Sequence, residues 1–168
     1  EVFNSAPTAQ PELQGHEGIL ERQLKPEART DVIEEMEQLG LKPTSMIDIS
    51  DGLASEVLHL CTASRCGVKL FEEKIPVHED TYETAREFNL DPTLCALSGG
   101  EDYELLFTIS QADYDKVHNH PKFTVIGHIT EDASEHILIT RNGLHAPLKA
   151  QGWDGIKDAR KENAEDAD

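Results

Sequence analysis

Positive charge is scarce in this sequence. Fifteen Lys and Arg residues stand against 33 Asp and Glu, a formal net charge of −18 at pH 7. A surface of that sign repels nucleic-acid phosphates, so DNA and RNA are not expected partners. Apolar runs are short as well, and none approaches the roughly 20 residues that a membrane-spanning helix needs. The opening residues Glu1-Val2-Phe3-Asn4 carry no basic region and no signal-like apolar core. Cysteine is limited to Cys61, Cys66 and Cys95, so any disulfide scheme leaves one unpaired. No Asn-x-Ser/Thr sequon occurs. Together these absences predict a reducing, cytoplasmic compartment. The chain also lacks G-x-x-x-x-G-K-[ST], G-x-G-x-x-G and G-x-S-x-G, which removes P-loop, protein-kinase and nucleophile-elbow chemistry.

What is present suits one domain with tails. A length of 168 residues with 38% hydrophobic content is enough for a single core. Residues 1–18 are rich in Pro, Gln, Gly and Ala and read as a linker. Ala28, Val32, Met36 and Leu39 share a face, predicting a helix from Glu27 to Leu39 that Gly40 stops. A buried strand is expected from Thr44 to Ile49 and a helix from Gly52 to Ser64, with Leu53, Val57, Leu60 and Cys61 inward. Further strands are expected at Gly67–Phe71, Tyr103–Ile109, Phe123–Ile129 and Ile137–Thr140, with helices at Asp80–Phe88 and Ser110–His118. Asn142-Gly143 predicts a tight hairpin that pairs Leu144–Leu148 with Ile137–Thr140. The acidic, polar residues 158–168 read as a disordered tail. The alternation predicts an α/β (α+β) fold, a mixed β-sheet with flanking helices, over 19–157.

Two segments carry candidate chemistry. The first is Ser45-Met46-Ile47-Asp48-Ile49-Ser50-Asp51-Gly52-Leu53; the second is Ser98-Gly99-Gly100-Glu101-Asp102-Tyr103-Glu104-Leu105-Leu106-Phe107. Each sets carboxylates on a glycine-containing turn beside an apolar segment. Asp48 and Asp51 would repel each other unless protonated, separated or bridged by a cation. Hard cations such as Mg²⁺ favour one or two carboxylates plus phosphate oxygens, which reconciles an acidic protein with a phosphate ligand. On spacing alone, the plainer reading is that Asp51 caps the following helix and that Gly99-Gly100 is a turn. Other clusters are weaker. His59, Cys61 and Cys66 have no second cysteine pair. Residues five apart on one helix are expected to point apart, so the thiols read as core. The His118-x-His120 pair reads as surface.

The two segments resemble the C-terminal half of the thiamine-monophosphate kinase family, within the aminoimidazole-ribonucleotide synthetase superfamily. The similarity runs from about Ile19 to Trp153. It implies direct transfer of the γ-phosphoryl group of ATP to thiamine monophosphate, with Mg²⁺, by an enzyme that forms homodimers. It implies that Asp48 and Asp51 ligate Mg²⁺, that Ser50 contacts the nucleotide phosphates, and that Glu101 touches the thiamine substrate. Trp153 is the chain's sole tryptophan; the resemblance places it on the substrate ring, where an indole suits a cationic thiazolium, and the alternative is a hydrophobic plug. Glu104 is left as a solvated or paired strand carboxylate. The family's N-terminal domain, which holds most of the nucleotide and metal site, has no counterpart here, so residues 1–18 are expected to be the linker from it. Two other readings stay open: a non-catalytic assembly or binding module, and another enzyme of the superfamily such as a hydrogenase-maturation factor. The Gly-Gly-Glu-Asp-Tyr-Glu-Leu segment argues against the second.

Overall fold

A computed structural model describes residues 15–150. Helices α1 (Glu17–Leu24) and α2 (Thr30–Gln38) precede strand β1 (Ser45–Asp48), helix α3 (Leu53–Ser64) and strand β2 (Gly67–Phe71). Helices α4 (Glu79–Glu87) and α5 (Pro92–Ser98) lead to β3 (Leu105–Thr108) and the short α6 (Tyr114–Val117). Strands β4 (Gly127–Thr130), β5 (His136–Ile139) and β6 (His145–Pro147) complete the order.

The strands form two sheets rather than one. β1 and β3 make an antiparallel ribbon, and the others form a four-stranded sheet in the order β4-β2-β5-β6. That larger sheet is mixed, because β2 runs parallel to β5 and antiparallel to β4. The expected hairpin is present, with Ile139 opposite His145 and Gly143 N–H bonded to the Thr140 carbonyl at 2.8 Å.

Two hydrophobic clusters flank the ribbon. One joins α3 (Leu53, Ala54, Val57, Cys61) to β2 (Val68, Leu70), with Leu106 of β3 packed against it. The other joins α2 (Val32, Met36) to Val117 and Phe123, with Leu105 and Phe107 packed against it. Period-2 alternation along β3 therefore feeds both clusters. Each fully buried aliphatic side chain contributes about 1.5–3 kcal/mol, so the ribbon is gripped from both faces.

Local chemistry explains where element boundaries depart from the sequence pattern. α2 begins at Thr30, not Glu27, because Arg29 takes a non-helical conformation (φ −77, ψ 54). α5 has no counterpart among the expected helices. Asp91 is the N-cap, its side chain accepting the Thr93 N–H at 2.8 Å, and Pro92 opens the first turn. β3 starts at Leu105, because Tyr103 lies at φ 52 and cannot continue a strand. α3 ends on Arg65 at φ 54, and the Cys66 N–H closes on the Cys61 carbonyl at 3.1 Å. That closure swings Cys66 back over Cys61. The Cys66 sulfur thus lies near enough to act on the Cys61 thiol instead of pointing apart, which corrects the expectation from helical spacing. Burial and the Cys66 sulfur push the Cys61 thiol up to about 11. The core role expected of Cys61 holds, at 1% exposure.

Candidate functional site

The ribbon delivers both acidic segments to one end. Asp48, the last residue of β1, sits opposite Leu105, the first of β3. The strands then continue as loops that stay stitched together. Ile49 N–H donates to the Glu104 carbonyl at 2.8 Å, Tyr103 N–H to Ile49 at 2.9 Å, and Glu101 N–H to Ser50 at 2.7 Å. Two glycines make this approach feasible. A Cβ on Gly100 would lie 2.6 Å from the Ser50 carbonyl oxygen. One on Gly52 would lie 2.9 Å from the Leu97 carbonyl oxygen, and Gly52 adopts φ 106, ψ 148, a region nearly confined to glycine. Glu101 (φ 67) and Tyr103 (φ 52) are also left-handed. Such residues cost of order 1–3 kcal/mol each and gather where function needs a fixed geometry.

Within the first loop, Asp48 and Asp51 are exposed and Ser50 is half-buried. Gly52 is the N-cap of α3 and the helix has no side-chain cap, so the plain reading of Asp51 as a capping residue fails. Among the described residues neither carboxylate has a hydrogen-bond or ion-pair partner, which leaves both available to a ligand. The group that does turn back on the loop is Glu56, 3% exposed. Its Oε1 accepts the Asp51 N–H at 3.0 Å and faces the Ser50 hydroxyl at 3.4 Å.

The second loop is held by residues from α1 and the turn after it. Gln23 donates to the Glu101 carboxylate. Glu104 receives Arg22 at 2.5 Å on one oxygen and Arg29 on the other. Glu104 is thus a paired carboxylate, and Arg29 also binds Asp31 at 3.0 Å. Arg22, Arg29 and Glu104 line a groove of about 530 Å³ together with Lys25 and Asp102. Asp102 is exposed as a residue, yet its carboxyl loses water against the groove wall. That desolvation and the Glu104 charge push its pKa up, opposed by Arg22. The stacking partner proposed for the substrate ring, Trp153, lies outside the described residues, as do residues 1–14 and the acidic tail.

Asp48, Ser50, Asp51 and Glu101 are therefore brought to one end of the ribbon. Among the described residues no group of three or more His, Cys, Asp or Glu side chains could hold a metal ion. An ion held by one or two carboxylates and completed by phosphate oxygens matches Mg²⁺ chemistry and suits this pair. Sequence reasoning missed Glu56, Arg22, Gln23 and Arg29. Glu56 had a signal: it lies three residues after Leu53 and four before Leu60, so it interrupts the apolar stripe of α3 with a charge. The residues of α1 had none, because only the fold brings them to the second loop.

Residues 4–139 match the family of the AIR synthase related protein, C-terminal domain. The chain belongs to that family. Among its relatives, the thiamine-monophosphate kinase of Pyrococcus horikoshii is 35% identical over 139 residues, covering 83% of this chain and 41% of the relative. The structure of AaThiL complexed with AMPPCP and TMP superposes with a TM-score of 0.69 at 25% identity, over 90% of this chain and 45% of that one. Escherichia coli HypE, a hydrogenase maturation protein, shares the fold at 20% identity and a TM-score of 0.57, over 71% of this chain and 39% of its own. This AIR synthase related C-terminal domain thus spans well under half the length of the curated relatives it matches.

Proposed function

We propose that the chain is the C-terminal part of a thiamine-monophosphate kinase, which transfers the γ-phosphoryl group of ATP to thiamine monophosphate, giving thiamine diphosphate and ADP. The observation that carries this reading is the stitched pair of acidic loops, in a chain 35% identical to such a kinase. In this reading Asp48 and Asp51 hold Mg²⁺, Ser50 contacts the nucleotide phosphates, and Glu101 and Trp153 face the thiamine. Bound Mg²⁺ would neutralise phosphate charge during an in-line transfer. The chain's own residues bind and orient. No activated nucleophile is needed, and none of the site side chains is one. An N-terminal domain supplies the rest of the nucleotide site, the complete enzyme is a homodimer, and the setting is cytoplasmic. Among the described residues no helix is long and apolar enough to cross a membrane.

The test measures thiamine diphosphate formation by these 168 residues alone and by a protein spanning the full length of the relatives. Product is expected only from the longer protein. Steady turnover by the short chain would show that this region suffices. No turnover by the longer protein would end the kinase reading. In the longer protein, Asp48→Asn and Asp51→Asn should each lower kcat/KM by about 100-fold or more with the fold intact. Near-normal rates at saturating Mg²⁺ would remove both from the site.

A further inference from the structure

Glu56 has no role in the reading above, yet its position is hard to explain as packing. Its carboxylate is carried by the first turn of α3 and is 3% exposed, against a core of Leu53, Ala54 and Val57. A carboxylate in such a place costs stability unless it is hydrogen-bonded or paired. Among the described residues no cation pairs with it. What it meets is the loop, at the Asp51 N–H (3.0 Å) and the Ser50 hydroxyl (3.4 Å). The field of a helix N-terminus favours an anion there.

These two contacts fall on the residues that bracket the proposed phosphate end of the site. The Asp51 N–H fixes the peptide plane from which the Asp51 side chain departs. The Ser50 hydroxyl, when it donates to Glu56, turns an oxygen lone pair outward. From the other side the Ser50 carbonyl is held by the Glu101 N–H at 2.7 Å. Ser50 is thus pinned between a buried carboxylate and the second loop. We propose that Glu56 is a positioning residue of the phosphate end: it sets the direction of the Asp51 carboxylate and the Ser50 hydroxyl without touching nucleotide or metal itself. This role rests on the kinase reading. Groups that orient a metal ligand typically change affinity or activity by about 10–100-fold when removed.

Two near-isosteric variants separate positioning from packing. Glu56→Gln keeps an oxygen acceptor for the Asp51 N–H, and Glu56→Met keeps the volume and loses the acceptor. In the full-length enzyme, Glu56→Met should raise the KM for Mg²⁺·ATP about tenfold or more and leave the KM for thiamine monophosphate within about twofold. Glu56→Gln should restore the KM for Mg²⁺·ATP to within about threefold of wild type, by keeping the acceptor. Equal rises in both KM values, or a Gln variant as impaired as the Met variant, would overturn the proposal. Amide hydrogen exchange on the 168-residue chain gives a readout that needs no activity. The Asp51 N–H should exchange slowly in wild type and Glu56→Gln, and about tenfold or more faster in Glu56→Met relative to its neighbours in α3. Equal exchange in all three removes Glu56 from the loop. A wild-type enzyme without turnover, but with the exchange pattern expected, would end the kinase reading and leave the Glu56 contact standing.

Discussion

The two acidic loops lie side by side, but they are held in opposite ways. The first, 48–52, is fixed through its backbone. Its constraints are the glycine contact at Leu97, the buried Glu56 and backbone bonds to its neighbour. The carboxylates of Asp48 and Asp51 are left exposed and unpartnered among the described residues. The side chains of the second loop are fixed from outside. Gln23, Arg22 and Arg29 reach across from α1 and the following turn to occupy Glu101 and Glu104. Steric contact and buried hydrogen bonds are insensitive to salt, whereas half-exposed ion pairs are screened by it. The first loop therefore keeps its shape across conditions and presents free charge. The second presents charge already engaged, which a ligand must displace or share.

The largest effect expected from breaking this contrast is at Gly52. Gly52→Ala adds a Cβ 2.9 Å from a backbone oxygen at a φ of 106. Overpacking and a disallowed backbone together should cost about 2–5 kcal/mol, read by denaturant unfolding. A cost below about 1 kcal/mol would show that the first loop is not held through its backbone. A smaller effect is expected at the clamp. Arg29 and Glu104 have side chains 27% and 36% exposed, so their coupling in a double-mutant cycle should be about 1 kcal/mol or less at low salt. It should fade in about 1 M NaCl, where screening reaches about 3 Å. Salt-independent coupling would erase the distinction between the loops.

The smallest effect concerns pH. The folded chain holds the Asp102 carboxyl above the usual range, through desolvation first and the Glu104 charge second. Folding thus favours its protonated form. Stability from this group is full below the ordinary carboxylate pKa of about 3.9 and is lost as pH rises through the raised value. Asp102→Asn should raise Tm slightly at pH 7, with the gain disappearing near pH 3. Asp31 and Glu35 have the opposite sign. Arg29 holds Asp31 down and Lys122 holds Glu35 down, so their contributions are lost as pH falls. A destabilised Asp102→Asn at neutral pH would contradict the burial of that carboxyl.

How much of this was legible in the sequence differs between the same two regions. The mixed sheet with flanking helices and the Asn142-Gly143 hairpin followed from periodicity and turn chemistry. Asp48, Ser50, Asp51 and Glu101 are singled out by the resemblance of their two segments to a known family, since spacing alone favours a cap and a turn, and the fold gathers them. Partners distant in sequence were not legible. Nothing in the run from Glu17 to Arg29 says that Gln23 and Arg29 meet a loop near residue 100. Helix α5 was missed because Asp91-Pro92 serves equally well as a stop and as a start. The split into two sheets was hidden too, since alternation reports which faces are buried and not which strands pair.

The register of the ribbon has a kinetic consequence. Asp48 and Leu105 are partners, yet more than fifty residues separate them, and the loop they close contains β2. β2 itself pairs with β4 and β5, which lie beyond that loop. Closing the ribbon and assembling the four-stranded sheet are thereby interleaved, and each brings segments together at the entropic expense of a long loop. A partly folded chain that has formed only its local helices lacks the bonds that stitch the two acidic loops together. The paired loops emerge only with the complete topology, so whatever binds across them selects the fully folded chain and slows its unfolding.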